Sequence, residues 1–516
     1  MITRIVVRKN QYRDSVFLMV VNQKARDLAG IREIAIMMGT DNNKDLMAKV
    51  GFDASEMRSA TSNDMIICIR AESEDHIVDA LLEIDTLLVK KMRPDEQNST
   101  FKTLDAALRE RPGTNLAVIS VPGQFAAREA RKALNHGLNV LLFSDNVSLE
   151  EEIELKQLAQ QADRIVMGPD CGTAIINHVG LAFANVVKPG HIGIVAATGT
   201  GLQEVAGIMD RMGEGITQAI GTGGRDLSDR VKGLSMMKGI DILENDTETK
   251  VIVALSKPPG PNTAKDVLKK ISACSKKTIV NFIGLDQKAV QEAGGIPAAT
   301  LEEAAEKAVA ALRGSQYEKK DFSIPEKDVA AVIKNEQRRM SAGQKYVRGL
   351  YSGGALCDEA LAVMSGRLGG IFSNIPLRPE LRMEDLSRGH LHSCIDLGDD
   401  YFTRGKPHPM IYPDVRKSYI EKEALDPEVA VLLLDVVLGY GAHMDMAGAL
   451  SESLLWAKAH VEAKGGYLSI IASVCGTKND PQDFDQQVKK MKDCGVVVMP
   501  SNAQAARLAA YICHTK

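Results

Sequence analysis

A strand, a tight loop of small residues and an amphipathic helix follow one another from Ile192 to Met209 (IGIVAATGTGLQEVAGIM), and the same succession returns at Val347 to Met364 (VRGLYSGGALCDEALAVM). In the first copy the apolar run Ile192 to Ala197 feeds Thr198-Gly199-Thr200-Gly201. In the second, Ser352 falls on Thr198, Gly353 on Gly199, Leu356 on Leu202 and Asp358 on Glu204. The correspondence continues downstream. Ile395 to Asp400 lies over Ile220 to Arg225, Glu428 to Leu438 over Thr249 to Leu255, and Tyr467 to Val474 over Lys277 to Ile283. Order and spacing that agree through four strands mark two copies of one α/β domain.

Upstream, strand-like and helix-like segments also alternate. Thr3 to Val7, Ile34 to Met38, Asp64 to Ile69, Leu116 to Val121, Val140 to Phe143 and Arg164 to Met167 read as strands with helical patterns between them, including one from about Asn43. Such alternation implies βαβ units and a parallel sheet. The expected organisation is a doubly wound domain over 1–188, an α/β domain over 189–313, a linker over 314–344 and a second copy of that α/β domain over 345–516. Residues 91–103, polar and with a proline, read as a loop, and the charged stretch 314–344 as a solvated connection. No GxGxxG turn follows either of the first two strands, so a nicotinamide dinucleotide is not indicated.

The balance of 63 basic and 67 acidic residues gives no electrostatic footprint for nucleic acid. Eight cysteines without a CxxC pair read as reduced thiols in a cytoplasmic protein. The charged N-terminus lacks the apolar core of a secretory signal. The longest apolar run, Val429 to Tyr440, contains Asp435 and is too short for a bilayer. No membrane partner is expected.

Helix N-termini present unpaired N–H groups and a positive dipole end. Thr198, Gly199, Thr200 and Gly201, with Ser352, Gly353 and Gly354, are therefore candidates for binding a phosphate or carboxylate. If the two copies pack about a pseudo-twofold axis, both helix ends meet at one anion. Gly223, Gly224 and Arg225, in the GTGGRD turn, are further candidates, with the guanidinium suited to bidentate anion binding. Asp170 and Cys171 in the GPDCG turn, and Gly439 and Gly441 in LGYGA, sit where an α/β crevice opens at the carboxyl ends of strands. Cys171 reads first as a small residue in a tight turn and second as a nucleophile. His408 and His443 are candidate general bases or phosphate donors. His390 and His392 have metal-pair spacing, but no carboxylate or thiol completes a site, and no metal is expected.

The segments NLAVISVPGQFAAREA, SDNVSLEEE, MGPDCGTAI, GIVAATGTGLQE and SGGALCDEA resemble the succinyl-CoA synthetase superfamily. GTGGRDLS, IDLGDDYFTRGKPHPMI and LLLDVVLGYGAH resemble its FdrA family of acyl-CoA-synthetase-like proteins. The resemblance spans essentially the whole chain. It implies an α/β chain with a Rossmann-like CoA-binding-type domain (1–188) followed by two flavodoxin-like, ligase-type domains (189–313 and 345–516) whose helices face one another. CoA is a possible ligand, and hetero-oligomeric partners or self-association are implied. Those ligases carry a phosphorylated histidine in a GHAGA segment; here the region reads FIGLDQKAVQEAGGIPAAT, and no histidine lies between His191 and His390. Glu204 matches the glutamate that positions that histidine. Residues 314–344 leave no room for an ATP-grasp domain. A chain of this kind needs a substrate already activated, such as an acyl or carbamoyl phosphate. Some FdrA-type proteins are linked to oxamate carbamoyl transfer in purine and allantoin breakdown. The alternatives are a nucleotide-diphosphate-forming acyl-CoA ligase working with a partner subunit, and a non-catalytic scaffold that binds CoA or an anion.

Overall fold

The computed structural model describes the chain apart from residues 12, 14, 27, 41–42, 45–46, 49–50, 53, 90–100, 405 and 514–516. The loop read at 91–103 and part of the helix read from Asn43 fall among those and lie outside the described residues. The chain divides into two units, Met1–Pro112 and Gly113–Lys516.

In the first unit, β1 (Ile2–Arg8), α1 (Ser15–Arg26), β2 (Ile31–Met38), β3 (Met65–Ala71) and α2 (Glu74–Val89) follow in sequence. The three strands form one sheet in the order β1-β3-β2, and both pairings are antiparallel. Alternation along β3 buries Ile67 and Ile69 with Leu18, Ile77 and Ile84, and Ile66 and Cys68 with Met47, Phe52 and Met57. Both faces are thus covered. The expectation of one doubly wound parallel domain over 1–188 is corrected here. Hydrophobic alternation reports that a segment is a strand but not the direction of its neighbour.

The second unit contains three sheets. β4 (Leu116–Ile119), β5 (Asn139–Leu142) and β6 (Val166–Met167) pair parallel in that order, connected by α3 (Gly123–Asn135) and α4 (Leu149–Gln161). A reciprocal Ser148–Glu151 capping box starts α4. The hairpin β7 (Thr173–Ile176) and β8 (Val179–Ala182) does not extend this sheet. It joins the next one, pairing antiparallel with β10 (Ile216–Gly221).

That second sheet runs β13-β12-β11-β9-β10-β7-β8. Its other members are β9 (Pro189–Ala197), β11 (Val251–Ser256), β12 (Lys277–Phe282) and β13 (Ile296–Pro297), with α5 (Gly199–Arg211) after β9 and α6 (Leu301–Arg313) closing the copy. Residues 314–344 are more than a connection. They contain α7 (Glu326–Arg339), whose Val329 and Glu336 are buried and whose Gln337 donates to Ile512 O at 3.1 Å. The third sheet runs β15-β16-β14-β17-β18-β19 and is wholly parallel. It comprises β14 (Tyr346–Tyr351), β15 (Phe372–Ser373), β16 (Ser393–Asp396), β17 (Val429–Val437), β18 (Ser469–Cys475) and β19 (Val497–Met499). α8 (Gly354–Leu368) follows β14, and α9 (Asn502–Cys513) ends the chain.

From β9 onward the second sheet has the order 2-1-3-4-5, the flavodoxin-like arrangement, and the third has the same order once the two-residue edge strand β15 is set aside, each with its switch point between strands one and three. Those points are β9/β11 and β14/β17. One apolar core runs through both copies: Val205, Met209, Ala305 and Val309 of the first lie in the same cluster as Leu356, Ala360, Met364 and Ala506 of the second. Two carboxylates cross this seam. Glu204 Oε1, on α5, accepts the N–H of Asn502 at the start of α9 (3.0 Å), and Glu359 Oε1, on α8, accepts the N–H of Leu301 at the start of α6 (2.6 Å). Each copy thereby caps a helix of the other. The Asn502 amide also donates to Glu359 Oε2 at 2.8 Å.

This pairing corrects the sequence alignment of the copies. The N-cap of α5 is Thr198 and that of α8 is Gly353, although β9 ends at Ala197 and β14 at Tyr351. The second copy has one more loop residue, so Glu204 corresponds to Glu359 rather than to Asp358. Among the described residues, no helix is long and apolar enough to cross a membrane.

Candidate functional site

The N-termini of α5 and α8 meet. A side-chain carbon on Gly353 would lie 2.8 Å from Thr200 Oγ1, and one on Gly201 would lie 3.3 Å from Ala355 Cβ. Each helix starts with orphan N–H groups, and the protein uses some of them. Thr198 Oγ1 accepts from Gly201 N at 3.3 Å. Asp435, buried at the switch point of the second copy, accepts from Ser352 N, Ser352 Oγ and Gly353 N, each at 2.9 Å. Ser352 and Gly353 were expected to offer their donors to an anion; they offer them to Asp435, because a carboxylate beneath that loop satisfies all three at once. Among the described residues, the N–H groups of Gly199, Thr200, Gly354 and Ala355, in the first turns of the two helices, have no backbone partner.

Lys257 reaches this junction from the end of β11. Its ammonium lies 2.6 Å from the point that a Gly354 side-chain carbon would fill, and Asp396 Oδ2 is 2.6 Å from the same point. Burial pulls against the ammonium, and the carboxylates of Asp358, Asp396 and Asp170 outweigh it, so the Lys257 pKa is raised. Burial lifts the carboxyl pKa of Asp358 and Asp170 to about 6 and that of Asp396 to about 7, with Lys257 working in the opposite direction on each. Asp396 Oδ1 is held by Gly398 N at 2.9 Å. Asp358 is 3% exposed, and Lys257 is the charge that acts on it. The sequence reading missed Lys257 and Asp396, although both stand at strand ends, and Lys257 stands at the switch point where an α/β sheet places its ligands.

The wall of the junction is aromatic. Phe183 lies between Phe143 and His408, with ring centroids 5.5 and 6.0 Å away. Burial drives His408 down to about 4. Its Nδ1 accepts the N–H of Met410 at 3.2 Å, so the neutral ring carries its proton on Nε2 and can donate there. Nε2 lies 2.7 Å from the side-chain position of Gly398, on the Asp396 loop. His443 Nδ1 accepts from Asp445 N at 3.0 Å, and its backbone N–H donates to Met410 O at 2.8 Å, on the His408 loop. Glu204 is occupied in the cap of α9. Gly439 and Gly441 pack on Phe183 and Ala184, and Gly439, at φ +120°, would bring a side chain to 2.7 Å from Phe183 O.

The GTGG turn abuts the Gly168–Asp170 turn through Gly223, while Gly224 faces open space. Arg225 is not a free clamp. Its guanidinium donates to Glu152 Oε2 and Val147 O, both at 2.9 Å, because Glu152 needs a second cation beside Lys156. The Cys171 thiol is buried, donates to Gly221 O at 3.4 Å and is pushed up to about 12 by burial, the state of an inert structural thiol. His392 Nδ1 accepts from Val347 N while His390 packs on Phe372. Among the described residues, no group of three or more candidate metal ligands occurs.

The first turn of α4 carries Glu150, Glu151 and Glu152, and Arg230 and Arg225 are engaged with Glu150 and Glu152, so that helix end does not suit the phosphates of CoA.

The charge cluster predicts a trade of stability for function. A carboxyl whose pKa is raised on folding stabilises fully below its unfolded value and loses that contribution as pH rises through the folded value. Asp358→Asn is therefore expected to be more stable than the parent at pH 8, by about 1–3 kcal/mol. The gain should vanish below about pH 4. Urea unfolding at the two pH values measures it; an equal gain at both would contradict the buried charge as its source.

Three family models match the chain: one described as AllF, heavy metal-associated domain (1–103), one as CoA binding domain (187–284) and one as CoA-ligase (350–512). In the first region the thiol of Cys68 is buried against Met47 Sδ at 3.6 Å. The uncharacterized protein YahF of Escherichia coli K12 is 43% identical over 514 residues, 99% of each chain. The alpha 2 subunit of the ADP-forming succinate–CoA ligase of Archaeoglobus fulgidus is 26% identical over 189 residues, 36% of this chain and 63% of that subunit. The crystal structure of PH0766 from Pyrococcus horikoshii matches 78% of this chain and 84% of its own at 16% identity, with a TM-score of 0.31, too slight a likeness to argue from. The chain belongs to the family of the uncharacterized protein YahF, within the acyl-CoA synthetase-like superfamily that includes the succinate–CoA ligase alpha subunits.

Proposed function

We propose that this chain is an FdrA-type subunit that transfers an acyl or carbamoyl group from its phosphate, in the manner of an oxamate carbamoyltransferase. One observation carries the reading: the α5 and α8 ends converge with Lys257, and the histidine beside them, His408, is buried and neutral with its Nδ1 engaged by Met410 N, so the anion they suit is that of a substrate rather than of a phosphorylated side chain. Backbone donors already fixed in place stabilise charge as it develops on a departing phosphate, at no reorganisation cost. The AllF description of the 1–103 match supports the FdrA-type part of this reading. Its test is phosphate release from carbamoyl phosphate plus oxamate by the purified protein, alone and with the products of adjacent genes. Absence of turnover in every combination would sink the substrate assignment.

The second reading is an acyl-CoA ligase completed by a partner subunit. The match of 187–284 and 350–512 to CoA-binding and CoA-ligase models favours it. Calorimetry with CoA separates the two. Binding in the micromolar range, with no response to carbamoyl phosphate, would favour the ligase; binding of CoA without turnover of either kind would leave a scaffold.

A further inference from the structure

We propose that Lys257 and Asp396 are the catalytic pair of this junction: Lys257 Nζ donates to the oxygen that departs with the phosphoryl group, and Asp396 Oδ2 takes the proton of the incoming nucleophile. This assignment rests on the transfer reading above. Its geometric basis is the notch at Gly354, where an ammonium and a carboxylate oxygen both lie 2.6 Å from a side-chain position left vacant by glycine. Asp396 Oδ1 is already bound to Gly398 N, which fixes the carboxylate and leaves Oδ2 facing the notch.

Asp358, 3% exposed, adds a further carboxylate beside the ammonium. It acts on Lys257 from α8, as Asp396 does from the β16 loop and Asp170 from the β6 turn. Three carboxylates around one ammonium hold it charged. The N–H groups of Gly199, Thr200, Gly354 and Ala355 serve the outer oxygens of the phosphoryl group. Lys257 belongs to the first copy and Asp396 to the second, so the pair exists only where the copies meet.

In the reaction, the nitrogen lone pair of the acceptor attacks the carbonyl carbon and a C–N bond forms. The bond from that carbon to the phosphoryl-bearing oxygen breaks, and its electron pair stays on the oxygen of the departing phosphate. The proton shed by nitrogen passes to Asp396 Oδ2 and then to solvent. Lys257 keeps its three protons throughout. The groups facing Asp396 are Lys257, Asp358 and Asp399, with the neutral His408 across Gly398. Burial places its titration at about 7, so turnover should rise with pH through that region.

The test uses inorganic phosphate as the binding probe and carbamoyl phosphate plus oxamate for turnover. Lys257→Met is expected to weaken phosphate binding about tenfold or more, and Lys257→Arg to keep it within a few-fold. Asp396→Asn should bind phosphate more tightly than the parent, since a negative neighbour is gone, yet lose about 100-fold or more in turnover and the rising limb of the pH profile. Gly354→Ala should also weaken binding. Its collision partners are the far ends of two side chains, so it serves as the test if Lys257→Met fails to fold. Parental phosphate affinity in Lys257→Met or in its substitute, no phosphate binding by the parent, or an unchanged pH limb in Asp396→Asn would overturn the proposal. Failure of carbamoyl phosphate to react would overturn the transfer reading, and Asp396 as its base, while the phosphate arm still decides Lys257.

Discussion

Asp435→Ala is expected to destabilise the protein by about 3–5 kcal/mol, as breaking one half of a buried ion pair does. Asp435 and Arg416 are both 0% exposed, and the carboxylate Oδ1 accepts from Arg416 Nη2 at 2.9 Å. The same carboxylate holds Ser352 and Gly353, so alanine would strand a guanidinium and three donors in the interior. Arg416 already has two nitrogens without partners, which leaves little to absorb the loss. Equilibrium urea unfolding measures the effect. Asp435→Leu with Arg416→Met should recover at least half of it, because the pair's own net worth is small once neither charge remains. A loss below 1 kcal/mol for the alanine variant would refute this account of the loop.

The second large effect is expected at Lys156. Its ammonium, 2% exposed, donates to Glu152 Oε1 (2.9 Å), Thr222 O (2.9 Å) and Asp226 Oδ1 (2.7 Å). Asp226 in turn accepts from Ser235 N and Met236 N at the start of the helix Leu234–Asn245. One cation thus fastens α4 to the turn after β10. Lys156→Met leaves Glu152 and Asp226 without their shared buried counterion, with Arg225 half exposed, and should also cost about 3–5 kcal/mol. The loss should shrink as pH falls and the stranded carboxyls protonate. Hydrogen exchange locates it: protection should drop first in 116–167, the small parallel sheet. A uniform loss across all three sheets of this unit would show that Lys156 does not act at that boundary.

The legible part of this molecule is what local pattern encodes. A run such as Ile192 to Ala197, followed by small residues and a helical period, has few other structures open to it, and its recurrence at Val347 identified the duplicated domains. Strand direction is not local. Thr3 to Val7, Ile34 to Met38 and Asp64 to Ile69 read as members of a parallel sheet and form an antiparallel one, because helices separate strands in both kinds of fold. Register within the repeat was nearly right. The extra residue before α8 is invisible while both loops consist of Gly, Ser and Thr, and it exchanges Asp358 for Glu359 opposite Glu204. Arg225 looked free because its partner, Glu152, lies 73 residues earlier in the chain. Lys257 was hidden among the prolines of its turn. Only the meeting of the copies places it beside Asp396, 139 residues on, and no spacing rule links them.

The crossed caps of Glu204 and Glu359 bear on how the molecule comes together. Neither α6 nor α9 has a complete N-terminus until the other copy is present, and Asn502 ties both carboxylates together. Burial raises the pKa of both, Glu359 to about 8, so the seam forms most readily with a proton aboard. The cooperative element of folding is then the pair of copies, not either copy. A chain emerging in order would leave Leu301 N at the start of α6 without its partner until α8 has formed, whereas α9, the last helix, finds Glu204 already in place.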